Sequence, residues 1–302
     1  MGNNHAHHHP TLKGKNLLIS IVLNIIITVA QIIGGFISGS LSLISDAVHN
    51  FSDVISLIIS YVANLLVRKK KQTVKQTFGY KRAEILAAFI NAVTLVVIAI
   101  FLGIEAVERF YAPQVIDGNI VIWLALLGIA VNGFSVLLLK SDANHNLNMK
   151  SAYLHLLTDM LTSVAVLVGG LLMKFFQVYW VDALLTLIIS VYLLYVSWSV
   201  LVNSIKILML FTPTHINIDN VVQEVEKVPF IRNIHHVHLW QLNDHDVHFE
   251  AHVEFSKNIS INEFDAICED IEKLLLQKFH ITHCNLQPEY NRDDSKDIII
   301  QD

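Results

Sequence analysis

Charged residues are scarce in this 302-residue chain: Asp, Glu, Lys and Arg make up 16% of the sequence, and hydrophobic residues make up 53%. Soluble domains carry about 25% charged residues, so this composition excludes an ordinary soluble domain and indicates a membrane protein. The two cysteines, Cys268 and Cys284, fall in the C-terminal part, predicted below to be cytoplasmic, where thiols are normally kept reduced, and we interpret them as free thiols. The net charge of −5 gives no reason to expect a nucleic-acid partner.

Six apolar runs are long enough to cross a bilayer, since a helical span needs about 20 mainly apolar residues. They lie near 16–37, 42–66, 84–106, 119–139, 151–173 and 179–202. The loop 68–82 between the second and third runs is rich in Lys and Arg, whereas the next loop has Arg109 as its one basic residue. Basic loops face the cytoplasm, so both termini are predicted to be cytoplasmic.

The chain is predicted to have three parts. Residues 1–15 form a cytoplasmic N-terminal tail with four histidines, 16–205 form a transmembrane domain of six helices, and 206–302 form a cytoplasmic domain. The pattern of the last part predicts helix, strand, strand, helix, strand, and Ser260 with Glu263 forms a capping box at the start of its second helix. This order indicates a small α+β domain of the ferredoxin-like type.

Two matched pairs of ionisable residues lie inside the apolar runs. His49 and Asp53 are four residues apart in the second run, and His155 and Asp159 repeat the spacing in the fifth. An Asp at the centre of a membrane helix costs about 2.5–3.5 kcal/mol, and residues four apart share one helix face. Two helices that each supply a nitrogen and an oxygen can complete a tetrahedral Zn²⁺ site.

Transport explains a metal site at this depth, because a site between helices can open to either side of the membrane. Imidazole must be neutral to bind metal, so protons compete for His49 and His155 and can drive the exchange. Asp46 lies three residues before His49, and we expect it to support the ligands or line the ion path, with helix capping and packing as open alternatives.

Two other functions are weighed against transport. A membrane-anchored metal sensor leaves the four intramembrane residues unexplained. An intramembrane metalloenzyme needs an open coordination position, but four protein ligands close the site and no His-Glu-x-x-His motif occurs in a span. The sequence therefore predicts a transporter rather than an enzyme.

The segments "SLSLISDAVHNFSDV", "FGYKRAEILAAFINA" and "NLNMKSAYLHLLTD" resemble the cation diffusion facilitator family, and the resemblance covers almost the whole chain. It implies that His49, Asp53, His155 and Asp159 hold the transported ion. It also implies export of Zn²⁺, with Cd²⁺, Co²⁺ or Ni²⁺ as further substrates, and a homodimer joined largely through the cytoplasmic domains. One departure is the linker "LMLFTPTH", where many relatives have an acidic residue in place of Leu210 or Phe211.

Residues 235–283 of the cytoplasmic part contain eight of the sixteen histidines. In "DVHFEAHVEF" apolar and polar residues alternate, which predicts one core face and one face in water. The resemblance implies that Zn²⁺ is also a regulatory ligand there, bound by His235, His252, His283 and Glu289, while an ordinary surface role stays open. The compact chain, without a long histidine-rich insertion between the fourth and fifth spans, indicates a bacterial inner membrane protein.

Overall fold

The computed structural model describes residues 15–69, 74–143, 147–243 and 246–300. The four histidines of the N-terminal tail lie outside these ranges, as do His145 and His245. Six long helices come first: α1 Lys15–Ser38, α2 Leu41–Lys69, α3 Ala83–Tyr111, α4 Gly118–Ala143, α5 Leu147–Phe176 and α6 Trp180–Leu208.

Within the described residues, five of these helices are long and apolar enough to cross a membrane, namely α1, α3, α4, α5 and α6. Helix α2, with 29 residues, is long enough to cross a membrane, but it is the most polar of the six helices and is not among these five. Large apolar side chains are exposed on the outer faces of the apolar helices, for example Ile37, Phe101 and Leu137. Such surfaces suit contact with lipid, which supports the prediction of a membrane protein.

The chain divides into two compact units. The first comprises Met1–Ile58 and Asn91–Trp198, and the second comprises Ile59–Ile90 and Ser199–Asp302. In the first unit α4 packs against both α1 and α5. Glycine permits the close contact of α4 and α5, because a Cβ atom at Gly170 would lie 3.1 Å from side-chain carbons of Val121 and Ile122.

The N-terminus of α2 is held by a carboxylate from the first turn of α6. Asp182 accepts hydrogen bonds from the backbone N–H groups of Leu41 at 2.8 Å and Ser42 at 3.2 Å. It also accepts hydrogen bonds from the hydroxyl groups of Ser40 and Ser42, each at 2.6 Å. This carboxylate therefore does for α2 what a capping side chain does for its own helix, and it fixes the start of the helix that carries His49.

The second unit contains α7 Ile218–Val225, β1 Ile231–Gln241, β2 Val247–Phe255, α8 Ile261–Phe279 and β3 His283–Glu289. This is the predicted order of helices and strands, and the capping box of Ser260 and Glu263 is present at the start of α8. Strand β2 is central, antiparallel to β1 and parallel to β3. Helix α8 makes the crossover that a parallel pair requires.

The alternation predicted for β2 is confirmed on its apolar face, where every second residue from Val247 to Phe255 is buried in the core of the domain. The prediction of a water-facing opposite side is wrong for His248 and Glu254, which are also buried. Trp240 stacks on His248 with ring centroids 5.5 Å apart, so a neighbouring strand covers that imidazole. The polar face of this sheet is thus partly enclosed.

Replacing Phe249 by Ala should destabilise the sheet, because this side chain is 1% exposed among the core residues. Loss of a buried Phe costs about 3–5 kcal/mol, so hydrogen–deuterium exchange of β1–β3 in the full-length protein should accelerate. The control is Ile261→Ala, since Ile261 is 79% exposed at the start of α8 and surface changes stay within about 0.5 kcal/mol. Equal protection in the two variants would contradict the assignment of this core.

Candidate metal sites

Helices α2 and α5 bring the four predicted intramembrane residues together. His155 Nε2 lies 3.1 Å from Asp53 Oδ2 and 3.5 Å from Asp159 Oδ2. His49 Nε2 lies 3.5 Å from Asp159 Oδ1 and 3.8 Å from Asp53 Oδ2. Each imidazole nitrogen therefore faces one carboxylate from its own helix, as the four-residue spacing predicts, and one from the other helix.

Several polar atoms of this cluster make these close contacts without the geometry of a hydrogen bond, and they have no other hydrogen-bond partner within the described residues: His49 Nε2, Asp53 Oδ2 and both carboxylate oxygens of Asp159. Asp159 is fully buried and His49 nearly so. An unsatisfied buried polar group costs about 1–3 kcal/mol, and a charged one costs more. A divalent cation would satisfy these atoms together, because it accepts lone pairs from imidazole and carboxylate at once.

A hydrogen-bond network supports the cluster one turn away. Asp46 accepts hydrogen bonds from Gln31 Nε2 of α1 at 2.8 Å and from Thr162 Oγ1 of α5 at 3.0 Å. Gln31 in turn accepts a bond from Asn50 Nδ2 at 3.2 Å. Asp46 lies in the interior of α2, so it does not cap the helix. It joins three helices around the ligand pairs.

Tyr192 of α6 is a neighbour that the sequence did not point to. Its ring meets that of His49 edge to face, with centroids 5.7 Å apart. The chain has eight tyrosines, and nothing in the spacing of this one sets it apart. Its contact depends on how α6 packs against α2.

A second cluster lies in the sheet. His235 of β1 and His252 of β2 are partners in the strand register. His235 Nε2 lies 3.1 Å from Glu289 Oε2, and His252 Nδ1 lies 2.9 Å from Glu289 Oε1. Asp294, which the sequence analysis did not include, lies with its Oδ1 3.8 Å from His235 Nε2. These four residues form a group able to hold a metal ion.

The histidines of this second cluster differ in their surroundings. His235 is completely buried, and its Nδ1 lies 2.9 Å from Asn233 Oδ1, which orients the ring. Burial lowers the pKa of His252, and the nearby rings of His236 and His235 lower it further, against the opposing effect of Glu289. A lowered pKa keeps this imidazole neutral at pH 7, the form that binds metal.

Cationic side chains contact the same carboxylates. Arg292 Nη1 lies 2.9 Å from Glu289 Oε1, and Lys296 Nζ lies 3.4 Å from Glu289 Oε2. Lys296 also pairs with Asp294. A metal ion at this cluster would therefore replace ion pairs that already balance the carboxylate charge.

His283 does not join the group around Glu289. It is aligned with His248 in the β2–β3 register, and the two ring centroids are 4.6 Å apart. His283 and Glu289 point to the same face of β3, as the period of two requires, but they stand at opposite ends of the strand. Six residues of strand span about 20 Å, which is too far for one ion.

These observations define a class of protein: a membrane protein of long apolar helices that holds cation-binding groups between two of them, with a small α+β domain attached. Comparison with known proteins gives the family. Residues 17–209 match the cation efflux transmembrane domain, and residues 213–291 match the cytoplasmic domain of cation efflux proteins. The chain belongs to the cation diffusion facilitator family, whose members are transporters and not enzymes.

Characterised relatives are similar over nearly the whole chain. A cadmium, cobalt and zinc/H(+)-K(+) antiporter of Bacillus subtilis is 36% identical over 300 residues, covering 98% of this chain and 95% of the relative. The metal cation efflux system protein CzcD of Cupriavidus metallidurans is 32% identical, covering 95% and 90%. The zinc transporter ZitB of Escherichia coli is 31% identical, covering 96% and 93%.

We predict that Asp294→Asn weakens zinc binding to the cytoplasmic cluster by at least about 10-fold, a loss typical of changes at metal sites. His283→Ala should leave the affinity unchanged, because its ring lies at the far end of β3. Both variants can be titrated with zinc by calorimetry in a background of Asp159→Asn, which removes the intramembrane site. The opposite ranking of the two variants would exclude Asp294 as a ligand.

Proposed function

We propose that this protein exports Zn²⁺ from the cytoplasm in exchange for protons, and that His49, Asp53, His155 and Asp159 bind the transported ion. The observation that carries this proposal is the meeting of the four side chains between α2 and α5, with buried polar atoms that lack partners within the described residues. A permanent structural metal would not need ligands at this depth, whereas a carrier does.

Proton exchange follows from the ligand chemistry. Neutral imidazole offers a lone pair to the metal, while protonated imidazole does not. Protons that reach His49 and His155 from the opposite side would therefore release the ion, and a new ion from the cytoplasm would displace the protons. The Bacillus subtilis relative is named as an antiporter of cadmium, cobalt and zinc with protons and potassium, so we propose Cd²⁺ and Co²⁺, and by similar ligand preference Ni²⁺, as further substrates.

We also propose that α2 is the sixth span, with both termini in the cytoplasm of a bacterial cell and the transmembrane domain ending near residue 205. Its 29 residues reach about 43 Å at 1.5 Å per residue, which exceeds the roughly 30 Å of a hydrocarbon core. Its Asp46 accepts hydrogen bonds from Gln31 of α1 and Thr162 of α5, so this carboxylate is satisfied within the helix bundle.

The attached domain is proposed to be a ferredoxin-like sandwich without its first strand. A complete fold of that type runs strand, helix, strand, strand, helix, strand, and the described residues contain this order from the first helix onward. The match to the cytoplasmic domain of cation efflux proteins supports a homodimer formed through this part. We propose that Zn²⁺ at His235, His252, Glu289 and Asp294 regulates the packing of that dimer.

Transport can be tested in proteoliposomes that contain a zinc-sensitive dye. An imposed pH gradient should drive Zn²⁺ against the direction of proton flow, and Asp159→Asn should reduce the rate at least about 10-fold, because the carboxylate charge is lost from the ligand set. Asp117→Asn is the matched control: this exposed carboxylate caps the start of α4 through Asn119, and asparagine caps equally well.

Two results would contradict this function. Equal zinc flux with and without the pH gradient would contradict the proposed exchange for protons. Equal zinc flux in Asp159→Asn and in the control would contradict the assignment of Asp159 to the transport site. A protein that binds zinc but moves none across a sealed membrane would instead be a membrane-anchored sensor.

Regulation has a separate test. The double variant His235→Ala and His252→Ala should raise the concentration of cytoplasmic zinc needed for half-maximal transport, while the rate at saturating zinc stays close to that of the unmodified protein. This separation is expected because neither side chain belongs to the ligand set between α2 and α5. An unchanged dependence on zinc would show that the sheet cluster has no regulatory role.

A further inference from the structure

The end of α6 has an unusual residue at its closing turn. The N–H of Phe211 bonds to the carbonyl of Lys206 at 2.9 Å, and the N–H of Leu210 bonds to that of Ile207 at 3.2 Å. This pair of bonds is the Schellman motif, in which the penultimate residue adopts a left-handed conformation and is usually glycine. Leu210 takes that place with φ of 60°, although a side chain there is unfavourable.

Within the described residues, packing of the Leu210 side chain does not offset the strain of its left-handed backbone conformation. Met209, Leu210 and Phe211 are 65%, 47% and 52% exposed. Three consecutive exposed apolar residues at a strained turn are costly in water. They directly follow the apolar span of α6, which ends at Leu208, so they stand where the bilayer surface begins. A lipid environment would offset both the exposure and the strain.

A polar cavity of about 250 Å³ adjoins this turn. Its polar lining consists of two potential cations, two hydroxyl groups and two amides: Lys206, His215, Thr212, Thr214, Asn203 and Gln241. No carboxylate is among its lining residues. The volume is below the roughly 300–1,000 Å³ of pockets that enclose drug-sized ligands, so it suits a compact polar group.

The charge of this cavity favours an anion. Lys206 has no carboxylate within ion-pair distance in the part of the chain that the structure describes. The final carbonyl groups of a helix would normally repel an anion. Here the carbonyls of Lys206 and Ile207 are occupied by the N–H groups of the Schellman turn, which reduces that repulsion.

We propose that this cavity binds the phosphate of an anionic phospholipid headgroup, with Met209, Leu210 and Phe211 inserted beside the lipid's acyl chains. The lipid belongs to the cytoplasmic leaflet, because the residues from 213 onward match a cytoplasmic domain. Lys206 supplies the charge, and the hydroxyl and amide groups supply hydrogen bonds to phosphate oxygens. The site joins the last membrane helix to the linker of the cytoplasmic domain, and it is separate from both metal clusters.

The test uses the full-length protein in detergent, with lipid binding followed by native mass spectrometry. Dioleoyl phosphatidylglycerol should bind more tightly than dioleoyl phosphatidylcholine. Lys206→Gln should weaken phosphatidylglycerol binding about fivefold, the factor expected for one basic group near an anionic lipid. Lys140→Gln is the matched control, since Lys140 is also a last-turn lysine, of α4, and does not line the cavity.

A second variant separates lipid binding from folding. Leu210→Gly should weaken phosphatidylglycerol binding but raise the thermal unfolding midpoint in detergent, because glycine adopts a φ of 60° without strain. A variant that loses lipid while gaining stability has not lost its fold.

Three outcomes would overturn the proposal. Equal binding of both lipids, unaffected by Lys206→Gln, would show ordinary annular lipid. Displacement of phosphatidylglycerol by inorganic phosphate at equal concentration would show a site for a free anion. A lower dimer fraction in Leu210→Gly, with unchanged lipid binding, would show that a second copy of the chain covers this turn.

Discussion

The interior of a lipid bilayer offers no water to ionised or polar side chains, so each such group must find a partner within the protein or bind an ion. This constraint explains the surroundings of two buried carboxylates in the helical part of the chain. Asp46 is satisfied by Gln31 and Thr162, and Asp182 is satisfied by the start of α2. The two His and Asp pairs instead contain buried atoms without hydrogen-bond partners within the described residues, and we propose that the transported cation binds there.

The partners of these groups also determine how accurately the site is built. His49 follows a helix start that Asp182 fixes, and it lies beside an Asp46 that is bonded to both α1 and α5. Asp159 is buried, whereas Asp53 and His155 are partly accessible. The site therefore combines a rigid, enclosed half with a half that an ion or a proton can reach.

The sequence predicted those features that depend on local periodicity. A spacing of four residues places His49 beside Asp53 in any helix, and alternation identifies the buried face of β2. Tertiary contacts had no such signal: Tyr192 and Asp182 act across helices, and Asp294 follows β3 in a loop. His283 was expected to bind zinc from the family resemblance alone, and the resemblance gave no information on its distance from Glu289 along β3. The burial of His248 likewise depends on stacking with Trp240 of the adjacent strand.

The bond between Asp182 and the start of α2 has a mechanical consequence. The fixed end lies eight residues before His49, about 12 Å along the helix axis, and the far end at Lys69 lies about 42 Å away, at 1.5 Å per residue. If α2 tilts about this fulcrum as a rigid rod, a swing of about 4 Å at the far end displaces His49 by only about 1 Å. A movement near the basic loop would therefore reach His49 reduced about 3.5-fold, the ratio of the two distances from the fixed end.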